Sequence, residues 1–146
     1  MYIRPDRGFC LVTRTRTYKD YKFDKELPLV INICHHKAIE SAQLIHRHTN
    51  CGHDHAHLPE EHEHDGSDVY KVPYSLGPAI KLKYRTEVAK VYDCVFSSKT
   101  YQEFKNDDKK RAVLIETALK AVKEQYSENP MKGNLTFYCV AELTFF

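Results

Sequence analysis

Tryptophan is absent from this chain, and glycine and proline are scarce, at 5 and 6 residues of 146. That scarcity excludes collagen-like and linker-like chains, and makes each Gly or Pro that does occur a positional signal. No apolar run reaches the roughly 20 residues of a membrane-spanning helix, since even the apolar C-terminal run is broken by Glu142. The opening Met-Tyr-Ile-Arg-Pro-Asp-Arg lacks the apolar stretch of a signal peptide. The five cysteines include no Cys-x-x-Cys pair. Cys10, Cys34, Cys94 and Cys139 lie in apolar, strand-like runs, where a free cysteine acts as a small buried hydrophobe. The expectation is a reduced cytoplasmic setting, with the nucleus as a second address and no membrane.

Catalytic signatures are missing too. There is no Gly-rich phosphate loop, no Gly-x-Ser-x-Gly elbow and no His-Glu-x-x-His. Cys34 and His35 are adjacent in a strand-like run, so their side chains point to opposite faces and cannot share a proton as nucleophile and base. The chain is expected to be non-enzymatic and to carry no cofactor.

What is present is an uneven charge distribution. The formal net charge is only +2, but residues 40–69 hold seven acids against the single base Arg47, leaving 21 bases and 13 acids elsewhere, a surplus of eight. A basic body suits an acidic or phosphorylated partner. Nucleic acid is an unfavoured partner, because no aromatic-rich RNA-binding signature accompanies the bases. The acidic stretch is also where histidine concentrates: residues 46–68 hold seven of the nine histidines and show no core-facing period. A segment so polar cannot bury enough apolar surface to offset its ordering entropy, and reads as a mobile loop inserted in one 146-residue domain. His53, His55 and His57 share a face if extended and could chelate Zn, Ni or Cu. Weak Zn or Ni binding there is the alternative function.

Periodicity supplies the elements. Residues 27–36, Leu-Pro-Leu-Val-Ile-Asn-Ile-Cys-His-His, read as a strand buried on both faces, Leu29, Ile31, Ile33 and His35 on one and Val30, Asn32, Cys34 and His36 on the other. Asn32 must find hydrogen-bond partners inside that run, and is expected to tie down a neighbouring backbone segment. A strand from Gly8 precedes it, with Arg14 and Arg16 on one face, and residues 18–26 form a polar connection. Residues 37–45 have helical spacing, and 69–78 form a shaped, irregular segment. Residues 79–85 alternate, with Ile80, Leu82 and Tyr84 towards the core and Lys81, Lys83 and Arg85 outward; they pair with a strand over 88–96 through a turn near Thr86 and Glu87. Ser97 or Ser98 caps a short helix ending at Phe104. The main helix starts among Asn106, Asp107 and Asp108 and presents Val113, Leu114, Ala118, Ala121, Val122 and Tyr126 as its apolar stripe. A last strand begins at Leu135. The expected class is α/β in the α+β sense: one compact domain, a central β-sheet with one long helix and shorter helices packed on it, and a His-rich loop insertion.

Taken in series, Gly8-Phe9-Cys10, then Val-Ile-Asn-Ile-Cys-His from Val30, then Val-Pro-Tyr-Ser-Leu-Gly from Val72, then Val-Tyr-Asp-Cys-Val-Phe from Val91, and the helix around Leu114, resemble the PIH domain of the Pih/Kintoun family. The resemblance runs from Gly8 to Gly133, with the His-rich loop unmatched. It implies a non-enzymatic adaptor of the ninety-kilodalton heat-shock chaperone, working with AAA+ ATPases to assemble ribonucleoproteins such as snoRNPs, large kinases or axonemal dyneins. It also implies, from one branch, a basic pocket for acidic phosphoserine peptides. Two lysines expected of that pocket fall on Val12 and Pro28; a third basic position matches Arg85 and a fourth falls near Lys132. With the strand-borne bases added, the candidate peptide-binding residues are Arg14, Arg16, Lys83, Arg85 and Lys132.

Overall fold

The structure is a computed structural model and describes residues 4–19, 22–46, 69–84, 86–131 and 135–139. Along the chain lie β1 (Asp6–Lys19), β2 (Lys22–His36), β3 (Gln43–His46), β4 (Val69–Lys71), β5 (Tyr74–Leu76), β6 (Ile80–Tyr84), β7 (Glu87–Ser97), α1 (Ser98–Phe104), α2 (Asp108–Tyr126) and β8 (Thr136–Cys139). Among the described residues the main sheet has six strands, in the order β5-β7-β2-β1-β8 with β6 also paired to β7. β3 and β4 make a separate two-stranded ribbon. The expected mobile loop over 46–68 lies outside the described residues except for His46, which ends β3.

β2 is the central strand. It pairs antiparallel with β1 from Asp6↔His35 to Lys19↔Lys22, and parallel with β7 from Leu29↔Lys90 to His36↔Ser97. Its alternation comes out as two buried faces: Leu29, Ile31 and Ile33 are fully enclosed on one, Val30 and Cys34 on the other. The first face meets Phe9, Leu11, Tyr92, Cys94 and Phe96 and is covered by Tyr101 and Phe104 of α1 and Leu114, Ala118, Leu119 and Val122 of α2. The second joins Cys10, Ala89 and Val91 in a smaller cluster, with Val12 and Leu82 at its margin.

Both helices start on the expected caps. The Ser97 hydroxyl accepts from the Thr100 amide, and the Asp107 carboxylate accepts from the Lys109 and Lys110 amides, satisfying donors that a helix cannot pair internally. α2 ends where Ser127 turns left-handed at φ 58°, its amide and that of Glu128 returning to the carbonyls of the last turn.

The structure departs from the sequence reading in several places, residues 69–78 among them, which hold β4 and β5. The polar stretch 18–26 is not a connection: the strands run on to Lys19 and restart at Lys22, because ladder pairing is made by the backbone and needs no apolar side chains. Residues 37–45 are not helical; a turn follows β2, the Ala42 amide donates to the Thr100 hydroxyl at 2.7 Å, and β3 begins at Gln43. Ile80 and Leu82 do not reach the main core. β6 lies at the sheet edge, and these two fall on the face of the smaller cluster, leaving Ile80 54% exposed. Tyr126, at the end of the α2 stripe, stays 38% exposed while its ring lies 5.1 Å from that of Tyr92.

Cys10, Cys34 and Cys94 are free and buried. Burial pushes the Cys10 and Cys34 thiols up to about 12 from 9.0, with the Asp93 charge adding to both. Burial likewise raises Cys94. A shift of that size lowers the thiolate fraction at pH 8 by about a thousandfold, so iodoacetamide is expected to leave these three unmodified in the folded protein and label them promptly in urea. Mass spectrometry checks it; prompt labelling of Cys94 without denaturant would contradict the packing.

Candidate interaction site

Basic side chains gather at one end of the main sheet, where β1 ends, β2 begins and the β6–β7 hairpin turns. Ladder register decides which of them share a face, since residues paired across a ladder point the same way. Arg14 pairs with Pro28, Arg16 with Glu26, and Lys83 with Val88. By this parity Arg14 and Arg16 lie on the face turned away from the helices. Lys83 lies on the helix side, with Lys81 and Lys90. The structure therefore brings Arg14 and Arg16 together and separates both from Lys83. Arg85 and Lys132 lie outside the described residues, as do His53, His55 and His57. Among the described residues no three His, Cys, Asp or Glu side chains gather so as to hold a metal ion, and no helix is long and apolar enough to cross a membrane.

On the arginine face, the Arg14 guanidinium is clamped by two carboxylates. Its Nη1 and Nη2 donate to Glu87 at 3.1 and 3.0 Å, and its Nε to Glu26 at 3.3 Å. Arg16 reaches the same Glu26 at 3.8 Å. The two-pronged geometry is the strong form of this pairing, and the hydrogen bonds from Arg14 hold Glu87 below the usual carboxylate range. An incoming phosphate would have to displace these carboxylates.

Further along the same face lies Asn32. Its Nδ2 donates to Asp93 at 2.8 Å and its Oδ1 accepts from the Cys10 thiol at 3.3 Å. The amide is satisfied internally, as expected, although its partners are side chains of the flanking strands and not backbone. His35, on the helix side, stacks on Tyr101 at 4.6 Å and meets the Ser98 hydroxyl at 2.9 Å.

The helix face at the basic end is different. Lys25, Leu27, Lys81, Thr86, Glu87, Val88 and Lys90 line an open cleft of about 670 Å³. Val88 on its floor is 47% exposed. Among the described residues no carboxylate pairs with Lys81 or Lys83, whereas Lys90 meets Glu128 at 3.3 Å. Of these lysines, alternation in the sequence places Lys81 and Lys83 outward, although only Lys83 enters the candidate set. Lys81 shares its face two positions away, a signal legible from alternation; nothing local connects Lys25 or Lys90 to them, because that link is made by strand pairing.

Glu128 anchors the back of the cleft. It is 3% exposed and accepts from the Thr15 hydroxyl at 3.0 Å, from the Tyr92 hydroxyl and from Lys90. The chain after it is sewn to the free edge of β1: Arg16 donates its amide to Asn129, Met131 donates to Arg14, and Pro130 bridges Thr15. A proline suits this edge, where its missing N–H leaves no donor unpaired.

A family model described as the PIH1 N-terminal domain matches residues 1–138. Among solved structures, the N-terminal domain of yeast PIH1p is similar, with a TM-score of 0.70 at 16% sequence identity over 93% of this chain and 82% of that one. No curated protein matches the sequence. At such an identity the structural likeness speaks for the fold.

Proposed function

The chain belongs to the PIH1 N-terminal domain family, a family of non-enzymatic adaptor domains associated with chaperones, and from that premise we propose that it binds an acidic segment of a client or partner protein. The client segment, carrying phosphoserine in its tightest form, would be delivered to a chaperone and AAA+ ATPase machinery that assembles a ribonucleoprotein, kinase or dynein complex in the cytoplasm or nucleus. The observation that carries this reading is the concentration of Lys25, Lys81, Lys83 and Lys90 on one face at one end of a rigid sheet, with the carboxylate-paired Arg14 and Arg16 on the other face. Strand backbones fix their bases while their tips reach solvent, so a partner's carboxylates meet cations already in place. Arg85 and Lys132 are the remaining members of the proposed set.

Fluorescence anisotropy with three versions of one peptide tests it: acidic, acidic with a central phosphoserine, and the same backbone with Asn and Gln in place of Asp and Glu. Binding is expected for the first two, tighter for the phosphorylated one, weakening with added salt and weakened by Arg85→Ala. Equal binding of all three would overturn the reading.

A further inference from the structure

The helix-side cleft carries features that the acidic-partner reading alone does not require. Its rim is cationic, with Lys25, Lys81 and Lys90 around it and Lys83 in the adjoining row. Its floor is apolar, made by Leu27 and Val88, and Val88 is one of the few large aliphatic side chains of the sheet left about half exposed. Its one lining carboxylate among the described residues, Glu87, is engaged from the other side by Arg14. The buried Glu128 holds Lys90 in position from beneath. A floor of this kind gains from covering an apolar group, and a rim of this kind from carboxylates on either side of it.

We propose that this cleft, and not the arginine face, receives the partner segment, and that the segment is an extended acidic peptide with a single aliphatic anchor. This rests on the acidic-partner reading above and adds a location and a sequence pattern to it. The anchor sits on Leu27 and Val88, and the flanking carboxylates reach Lys81 and the neighbouring Lys83, which meet no carboxylate among the described residues. The arginine face is left out because Arg14 is already neutralised by two carboxylates, and because Val12 and Pro28 beside it bring no charge. The volume of about 670 Å³ suits a few side chains and not a folded domain.

A fluorescein-labelled peptide Gly-Glu-Asp-Leu-Glu-Asp-Gly serves as probe, against the wild-type domain and the Lys81→Glu, Val88→Thr and Arg16→Glu variants, with circular dichroism confirming that each is folded. Lys81→Glu is expected to weaken binding about tenfold or more, and Val88→Thr to weaken the leucine peptide but not its serine analogue. Arg16→Glu should change affinity less than about twofold, since it lies on the far face and is already paired. Amide shifts in an NMR titration should centre on Leu27, Val88 and Lys90. Shifts centred on Val12 and Arg14, with binding lost in Arg16→Glu only, would overturn the cleft while leaving the acidic-partner reading intact. No binding of any acidic peptide to the wild type would overturn both. Displacement of the probe by oligouridylate at lower concentration than by unlabelled peptide would overturn the proposal in favour of nucleic acid.

Discussion

Glu128→Ala is expected to cost about 3 kcal/mol of folding stability and roughly 10 °C of midpoint temperature. The carboxylate is 3% exposed and satisfies three donors from β1 and β7: the Thr15 and Tyr92 hydroxyls and the Lys90 ammonium. Truncation leaves all three facing a void, and removing one partner of a buried charged pair typically costs about 3–5 kcal/mol. Lys90 is 24% exposed and can turn to water, which places the estimate at the low end of that range. Glu128→Gln keeps much of the hydrogen bonding and should cost less. Urea titration by circular dichroism measures both; a loss under about 1 kcal/mol in the alanine variant would show that the network adds little.

The same network gives a pH dependence. Burial, and then the hydrogen bond to Glu128, raise the Tyr92 hydroxyl above its ordinary value of 10.0. The unfolded state thus loses this proton first as pH rises. The stability tied to Tyr92 is complete below pH 10 and declines above it, by up to about 1.4 kcal/mol per pH unit for one group. Cys10 and Cys34, raised from 9.0 to about 12, act in the same direction from pH 9 upward. Stability measured against pH in the alkaline range should therefore fall, with a smaller Tyr92 contribution in Glu128→Gln.

Gly8→Ala is the second large effect, expected at about 3 kcal/mol. A Cβ at this position would stand 2.5 Å from the Ile33 carbonyl oxygen and 2.6 Å from the Tyr101 ring. The carbonyl belongs to the central strand, and the ring is held by its stacking on His35, so neither can give way cheaply. The position also sits in the register shift of β1 between Arg7 and Phe9. Gly77 is the control. A Cβ there meets nothing within 4 Å, and Gly77→Ala should stay within about 0.5 kcal/mol of wild type. Equal effects at the two glycines would refute the steric account.

Gly8 also shows how far a sequence can be read. The Gly-Phe-Cys run was recognisable as part of a family pattern, but the reason for its glycine lies some ninety residues away in the ring of Tyr101. Conversely, the caps at Ser97 and Asp107 were legible because each depends on the next three residues only. The misreading of 37–45 as helical has the same origin: apolar spacing over a short window fits more than one element, and contacts with Thr100 settled the outcome. Glu128 carried no local sign at all. It is one acid among many in a polar tail, made structural by a left-handed Ser127 that turns it back under the sheet.

By itself the sequence determined which side chains alternate within each strand, where the helices begin, and which family pattern the strands compose, because these depend on neighbours along the chain. The tertiary structure alone decided which face each basic residue occupies. Arg14, Arg16 and Lys83 look alike in sequence, as strand-borne cations beside apolar residues. Pairing of β1 with β2, β2 with β7 and β7 with β6 carries the two arginines to one face and Lys83 to the other. That assignment is a matter of register between segments far apart in the chain, and a shift of one residue in any of the three ladders would reverse it.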